Sequence, residues 1–170
     1  MATATLVPVE TYLSTAYSPD VDYVDGEIVE RSMGETDHSG VQIELGIYLA
    51  RFRKAGNLRL YTEQRVQVKP NRFRVPDVCA IIGKPDGPIL RQPPFLIIEI
   101  LSKDDTMFSM QERLDDYLDF GVKHVWLVDP ALRRGYVCTR EGLRVETVLR
   151  TTDPALEVPL AEIFSVLDED

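Results

Sequence analysis

Val75-Pro76-Asp77-Val78-Cys79-Ala80-Ile81-Ile82 and Phe95-Leu96-Ile97-Ile98-Glu99-Ile100-Leu101 are two short, near-continuous apolar runs, each carrying one carboxylate. Runs of this length with Pro and Gly at their margins predict central strands covered on both faces, because a strand with one wet face alternates polar and apolar residues. A third strand precedes them over Leu58 to Val68, with a break near Gln64. The Gly/Pro-punctuated segment Gly83 to Pro94 joins the two acid-bearing runs and is expected to flex over whatever lies at the strand ends.

Working outward, Val21-Asp22-Tyr23-Val24 and Glu27-Ile28-Val29 flank Asp25-Gly26, a strong two-residue hairpin signal. A helix is expected after it: Ser39 and Gln42 have capping-box spacing, Val41, Leu45, Tyr48, Leu49 and Phe52 make one apolar stripe, and Gly56 supplies the stop. A second helix is marked by Ser109 and Glu112, the stripe Met110, Leu114, Tyr117 and Leu118, and Gly121. Strands over Lys123 to Asp129, Gly135 to Thr139 and Leu143 to Leu149 follow, with a helical turn over Ala161 to Leu167. The first twenty residues have weak periodicity and read as an irregular arm. The order predicts an α/β fold: a mixed β-sheet flanked by helices, with an N-terminal hairpin and C-terminal strands.

The 170 residues suit one domain, 1–170, and nothing in the chain resembles a linker or repeat. No run approaches the roughly 18 apolar residues of a membrane span. The start, Met1-Ala2-Thr3-Ala4-Thr5-Leu6, lacks a basic, then apolar, secretory pattern, so a cytoplasmic protein is expected. Cys79 and Cys138 lie in apolar stretches without metal or redox spacing and read as buried small hydrophobes. The net charge of −9 opposes nucleic-acid binding, for which phosphate neutralisation supplies much of the affinity. Local patches matter more than the total, and three basic clusters are candidates: Arg51, Arg53 and Lys54; Lys69, Arg72 and Arg74; Arg133 and Arg134.

An unpaired carboxylate inside an apolar strand is costly, and two on neighbouring strands also repel. A divalent cation relieves both problems, and hard oxygen ligands suit Mg²⁺ or Mn²⁺. The alternative is that Asp77 merely begins its strand after Pro76 while Glu99 pairs with a buried base. Arg113, three residues after Met110 and four before Tyr117, projects from the inner stripe of its helix and is placed to reach the carboxylates. It would either pair with Glu99 or steady a phosphate, and an always-charged guanidinium is no general base. Glu44 abuts the first helix's apolar stripe, and His38 precedes that helix; either could complete a site or serve local structure.

Tyr-Val-Asp-Gly-Glu-Ile-Val-Glu (23–30), His38, Pro-Asp-Val (76–78), Ile-Ile-Glu-Ile-Leu-Ser (97–102) and Tyr-Leu-Asp-Phe-Gly-Val-Lys-His-Val-Trp-Leu-Val-Asp-Pro (117–130) together resemble the Uma-type putative restriction endonuclease family, within the PD-(D/E)XK nuclease superfamily. The resemblance covers roughly residues 20 to 150. It implies a restriction-endonuclease-like sheet and Mg²⁺- or Mn²⁺-assisted hydrolysis of DNA phosphodiester bonds, with the metal activating water and clamping phosphate, and is compatible with a homodimer. Asp77 and Glu99 match the superfamily's two acids, Glu44 an acid many members carry on the first helix, and His38 a histidine common in the family. The superfamily lysine expected two residues after Glu99 falls on Leu101. Uma-type proteins often carry a lysine on the following helix, at the position of Arg113, and Lys103 is a second candidate substitute. The absent lysine and the acidic charge favour an alternative: a catalytically inactive nuclease-fold module for protein interaction or nucleic-acid binding.

Overall fold

A computed structural model describes residues 5–168. The chain runs α1 (Val9–Ser14), β1 (Val21–Val24), β2 (Glu27–Glu30), α2 (Thr36–Ala50), β3 (Leu58–Thr62), β4 (Val66–Lys69), β5 (Arg72–Arg74), β6 (Val78–Ile82), β7 (Leu96–Ile100) and α3 (Met107–Phe120). It continues through β8 (His124–Asp129), β9 (Arg134–Thr139), β10 (Gly142–Glu146), β11 (Val148–Thr151), β12 (Leu156–Pro159), α4 (Leu160–Phe164) and a 3-10 turn over Ser165–Asp168. The main sheet has the order β10-β9-β8-β7-β6-β3, with β7 and β8 parallel across the α3 crossover and every other neighbouring pair antiparallel. This is the mixed, helix-flanked sheet that the element order predicts.

β7 is buried along its whole length because it has two neighbours and two covered faces. Leu96, Ile98 and Ile100 pack with Val41, Leu45 and Leu49 of α2 and with α4. Ile97, on the opposite face, packs with Met110, Leu114 and Tyr117 of α3. Each such side chain contributes on the order of 1.5–3 kcal/mol on burial. The period-2 alternation of the strand therefore aims Glu99 at α3.

A second sheet, β2-β1-β5-β4, is anchored by a small aromatic core in which the Tyr12 and Tyr23 rings stack at 4.9 Å beside Phe73. The β1–β2 hairpin turns at Asp25 (φ 51°) and Gly26 (φ 100°), the left-handed pair that a two-residue turn matched to strand twist requires.

Several local expectations change. α1 replaces part of the irregular arm, with Tyr12 wholly buried and its hydroxyl donating to the Val21 carbonyl at 3.2 Å. α2 begins three residues before Ser39, after an extended Glu35 that makes no side-chain cap. α3 begins at Met107 because the Thr106 side chain accepts from the Ser109 amide at 3.1 Å, the N-cap bond that frees Ser109 from that role. Gly121 ends α3 with φ 98°, as the C-terminal stop demands. Leu58 to Val68 splits into β3 and β4, which belong to different sheets, and Val75 to Ile82 keeps only its second part as a strand. Between Arg74 and Val78 the chain crosses from one sheet to the other, and Pro76, lacking an N–H, suits that crossing.

Candidate active site

Val78 pairs with Ile98, so the antiparallel register brings Asp77, just before β6, beside Glu99 near the end of β7. Both side chains are buried, at 2% and 0% exposure. The Gly83 to Pro94 loop lies at the other ends of these strands, where it roofs an apolar cavity of about 420 Å³ lined by Ile81, Leu90 and Phe95. It is thus remote from the acids, since two antiparallel strands place their connecting loop and their outer ends at opposite edges.

Asp77 is held from three sides. Its Oδ2 accepts from the Ile100 amide at 2.7 Å and lies 3.4 Å from His38 Nε2, while Oδ1 accepts from Arg31 Nη2 at 2.7 Å. Burial raises the carboxyl's pKa, but His38, Arg31 and the Ile100 amide outweigh it and hold Asp77 below its ordinary value. Burial likewise disfavours charge on His38, yet the bond to Asp77 and its charge leave the imidazole above its usual value. Glu99 behaves differently: burial pushes its carboxyl up to about 8, against the opposing charge of Arg113. Tyr117 donates its hydroxyl to Oε1, and Arg113 Nη2 lies 3.1 Å from Oε2. That approach is out of line, so Oε2 is buried without a hydrogen-bond partner. The two adjacent acids are therefore pushed apart in pKa, with Asp77 keeping its charge and Glu99 holding a proton more readily.

The predicted residues scatter around this pair. His38 and Arg113 line the cleft with Asp77, Ile100, Arg31, Ser32, Ser102 and Asp105. Lys103 is exposed at the rim and pairs with Glu35. Glu44 lies on α2 outside the cleft lining. Four further residues contribute: Arg31, Glu63, Gln42 and Asp22. Arg31 bridges Asp77 and Glu63, and Gln42 Nε2 donates both to Glu63 Oε1 at 2.8 Å and to the Asp77 carbonyl at 2.9 Å. Asp22, 1% exposed in β1, lies 3.5 Å from Arg113 Nε. The same reasoning that singles out Asp77 and Glu99, an acid between apolar strand residues, would have found Asp22.

Behind Arg113 runs a buried ionic network. Arg74 Nε donates to Asp116 Oδ2 at 2.8 Å and its Nη1 to Asp22 Oδ2 at 3.0 Å, while Arg72 Nη1 reaches Asp116 Oδ1 at 3.0 Å. Arg72, Arg74 and Lys69 are consequently turned onto acids, which removes that cluster from the candidate basic surfaces. Arg133 is paired with Asp168. Arg53, Lys54 and Arg59 instead line an open groove of about 490 Å³ with Asn57 and Tyr61.

The family model described as "Uma2: Putative restriction endonuclease" matches residues 9–166. The chain belongs to the Uma2 family. A solved structure described as a putative nuclease belonging to DUF820 from Anabaena variabilis ATCC 29413 superposes with a TM-score of 0.78 at 21% identity, covering 93% of this chain and 97% of that one. At that identity the likeness shows a shared fold. No curated protein matches the sequence. Membership of the Uma2 family bears out the resemblance drawn from the motifs and supports a nuclease function.

Metal dependence is general among restriction-endonuclease-like families, which raises the question of fit. Among the described residues no three His, Cys, Asp or Glu side chains already stand in a metal-holding group. The donor chemistry nevertheless suits a hard divalent ion: two adjacent carboxylates, one with a buried oxygen that accepts no hydrogen bond, and a third acid, Glu63, on the far side of Arg31. Among the described residues, no helix is long and apolar enough to cross a membrane.

Proposed function

We propose that this Uma2-family chain is a Mg²⁺- or Mn²⁺-dependent endonuclease that hydrolyses DNA phosphodiester bonds at Asp77 and Glu99. The observation that carries the reading is the register that sets two buried carboxylates side by side, with Asp77 lining a cleft beside Arg31, His38 and Arg113, and with Glu99 Oε2 held by an ion contact to Arg113 but no hydrogen bond. The cation, when bound, would supply an activated water and a positive clamp on the phosphate. Asp77 and Glu99 would hold it, and Tyr117 fixes Glu99 by donating to Oε1. Arg113, buried and backed by Asp22, is set to stabilise charge developing on the phosphate rather than to move a proton. His38 turns Nε2 toward Asp77 and keeps Nδ1 buried without a partner, so this ring would hold a proton on the side of the acid. The groove that carries Arg53, Lys54 and Arg59 runs along β3, with Arg59 four residues or about 13 Å from Glu63, and would offer phosphate contacts beyond the scissile bond.

A homodimer would most readily use the exposed Ile43 and Ile47 of α2 beside β3, one of the two edge strands of the main sheet. The second reading, a non-catalytic binding module, is favoured by one observation: Arg31 and Arg113 already oppose both acids. Incubating plasmid DNA with purified protein and Mg²⁺ or Mn²⁺ separates the two. Nicking or cutting that disappears in Asp77→Asn supports the endonuclease. Cleavage that persists in that variant removes the site from consideration, and absence of cleavage with either cation favours the binding module.

A further inference from the structure

The strongest unexplained feature of the cleft is Arg31. Its guanidinium is largely buried, spans Asp77 and Glu63, and leaves Nε without a partner. A planar fork suits this bridging of two carboxylates, and the charge it brings is the kind a cation would otherwise supply. Arg31 brings a single positive charge to Asp77 and Glu63, with Arg113 on Glu99, whereas a divalent ion would bring two charges to the same acids. Glu63 itself sits at φ 51°, a left-handed conformation uncommon for a non-glycine residue, at the end of β3.

Two further observations concern what remains when Arg31 leaves. Gln42 binds Glu63 and the Asp77 backbone at once, so the two acids stay tied together independently of the arginine. Arg31 follows β2 in a stretch, residues 31–35, that has no regular secondary structure. Its side chain can therefore turn away without breaking a strand ladder or a helix.

We infer that Arg31 is an internal counter-cation that competes with the divalent ion, and that Glu63 joins Asp77 and Glu99 as a third carboxylate once Arg31 is displaced. This rests on the metal-centre reading of the Asp77–Glu99 pair. It assigns Arg31 a positioning role with two states: bridging Asp77 and Glu63 in the closed site, and facing the cleft, where a phosphate would meet it, in the open one. A chain built this way holds its acids neutralised until a cation arrives, and binds that cation more weakly than the bare acids would.

The test is Mn²⁺ binding by calorimetry, with Mn²⁺ electron paramagnetic resonance as a second readout, on the full chain without DNA. Arg31→Gln is expected to bind Mn²⁺ at least tenfold more tightly than the wild type. Adding Glu63→Gln to Arg31→Gln is expected to reverse most of that gain, and adding Asp77→Asn to abolish binding. Arg31→Lys keeps the charge but loses the two-armed bridge, and is expected to tighten binding severalfold; it carries the test if Arg31→Gln does not fold. Equal or weaker Mn²⁺ binding by the Arg31 variants, with Asp77-dependent binding in the wild type, overturns the competitor role and leaves the metal centre standing. An unchanged gain on adding Glu63→Gln overturns the third-ligand assignment. No Mn²⁺ binding by any variant overturns the metal-centre reading itself and this inference with it.

Discussion

Replacing Arg74 with Met tests the ionic network that backs the cleft. Arg74 is 2% exposed and meets Asp116 through Nε at 2.8 Å and Nη2 at 2.6 Å, and Asp22 through Nη1 at 3.0 Å. Methionine fills part of the volume but leaves two buried carboxylates short of their main counter-charge. Breaking a buried pair from one side costs about 3–5 kcal/mol, because the remaining charge is stranded. Both acids retain partners here: Asp116 keeps Arg72 at 3.0 Å and Lys69 at 3.3 Å, and Asp22 keeps the Val75 amide at 2.9 Å and Arg113 at 3.5 Å. The lower end, about 3 kcal/mol, is therefore expected, which for a chain of this size corresponds to a fall in Tm of roughly 6–12 °C. Urea unfolding followed by circular dichroism measures it, with the m-value unchanged so that the loss belongs to the native state. A loss below about 1 kcal/mol would mean that the pairs are no better than exposed surface bridges and would refute the reasoning.

Tyr117→Phe removes the donor to Glu99 Oε1 and is expected to cost about 1–3 kcal/mol where Glu99 is ionised. Glu99 is raised to about 8 in the fold, so its contribution is fully present below the ordinary glutamate range and is lost as pH rises through 8. Because the Tyr117 bond favours the charged form, the variant should lose more stability at pH 9 than at pH 5; equal losses at both would sink this account. Thr106→Ala removes the N-cap of α3 and is expected to cost about 1 kcal/mol in the same unfolding assay, with no loss counting against the cap. Ile47→Glu places a charge on the exposed face of α2; if that face joins two copies, sedimentation should show a dimer in the wild type and a monomer in the variant, with Tm little changed.

The apolar strands, the hairpin and the two long helices were legible because each is a local pattern. Asp77 and Glu99 were legible for a related reason: each breaks an apolar run, and burying a bare charge demands an explanation. Arg113 was readable from helical phase alone. Arg31 was not, because it leaves a hairpin strand whose residues are mostly exposed, and only the packing of that hairpin region brings it to Asp77. The division of Leu58 to Val68 between two sheets was hidden for the same kind of reason: both halves are good strand sequence, and strand partners are not encoded locally. Asp116 sits three residues after Arg113 on the inner face of α3, so an acid in that phase was a signal left unused.

The β6–β7 register has a consequence for how this chain can vary in length. A one-residue slip between these strands would turn one acid toward the opposite face and dissolve the pair, so insertions or deletions within Val78–Ile82 or Leu96–Ile100 are not tolerable. The loop joining them is at the other edge of the sheet, and around Gly87 no neighbouring atom stands within 4 Å of the position a side chain would occupy. Extra residues can be accommodated there while the ladder keeps Asp77 opposite Glu99. The fold thus separates a segment free to drift in length from a spacing that acts as the molecule's ruler.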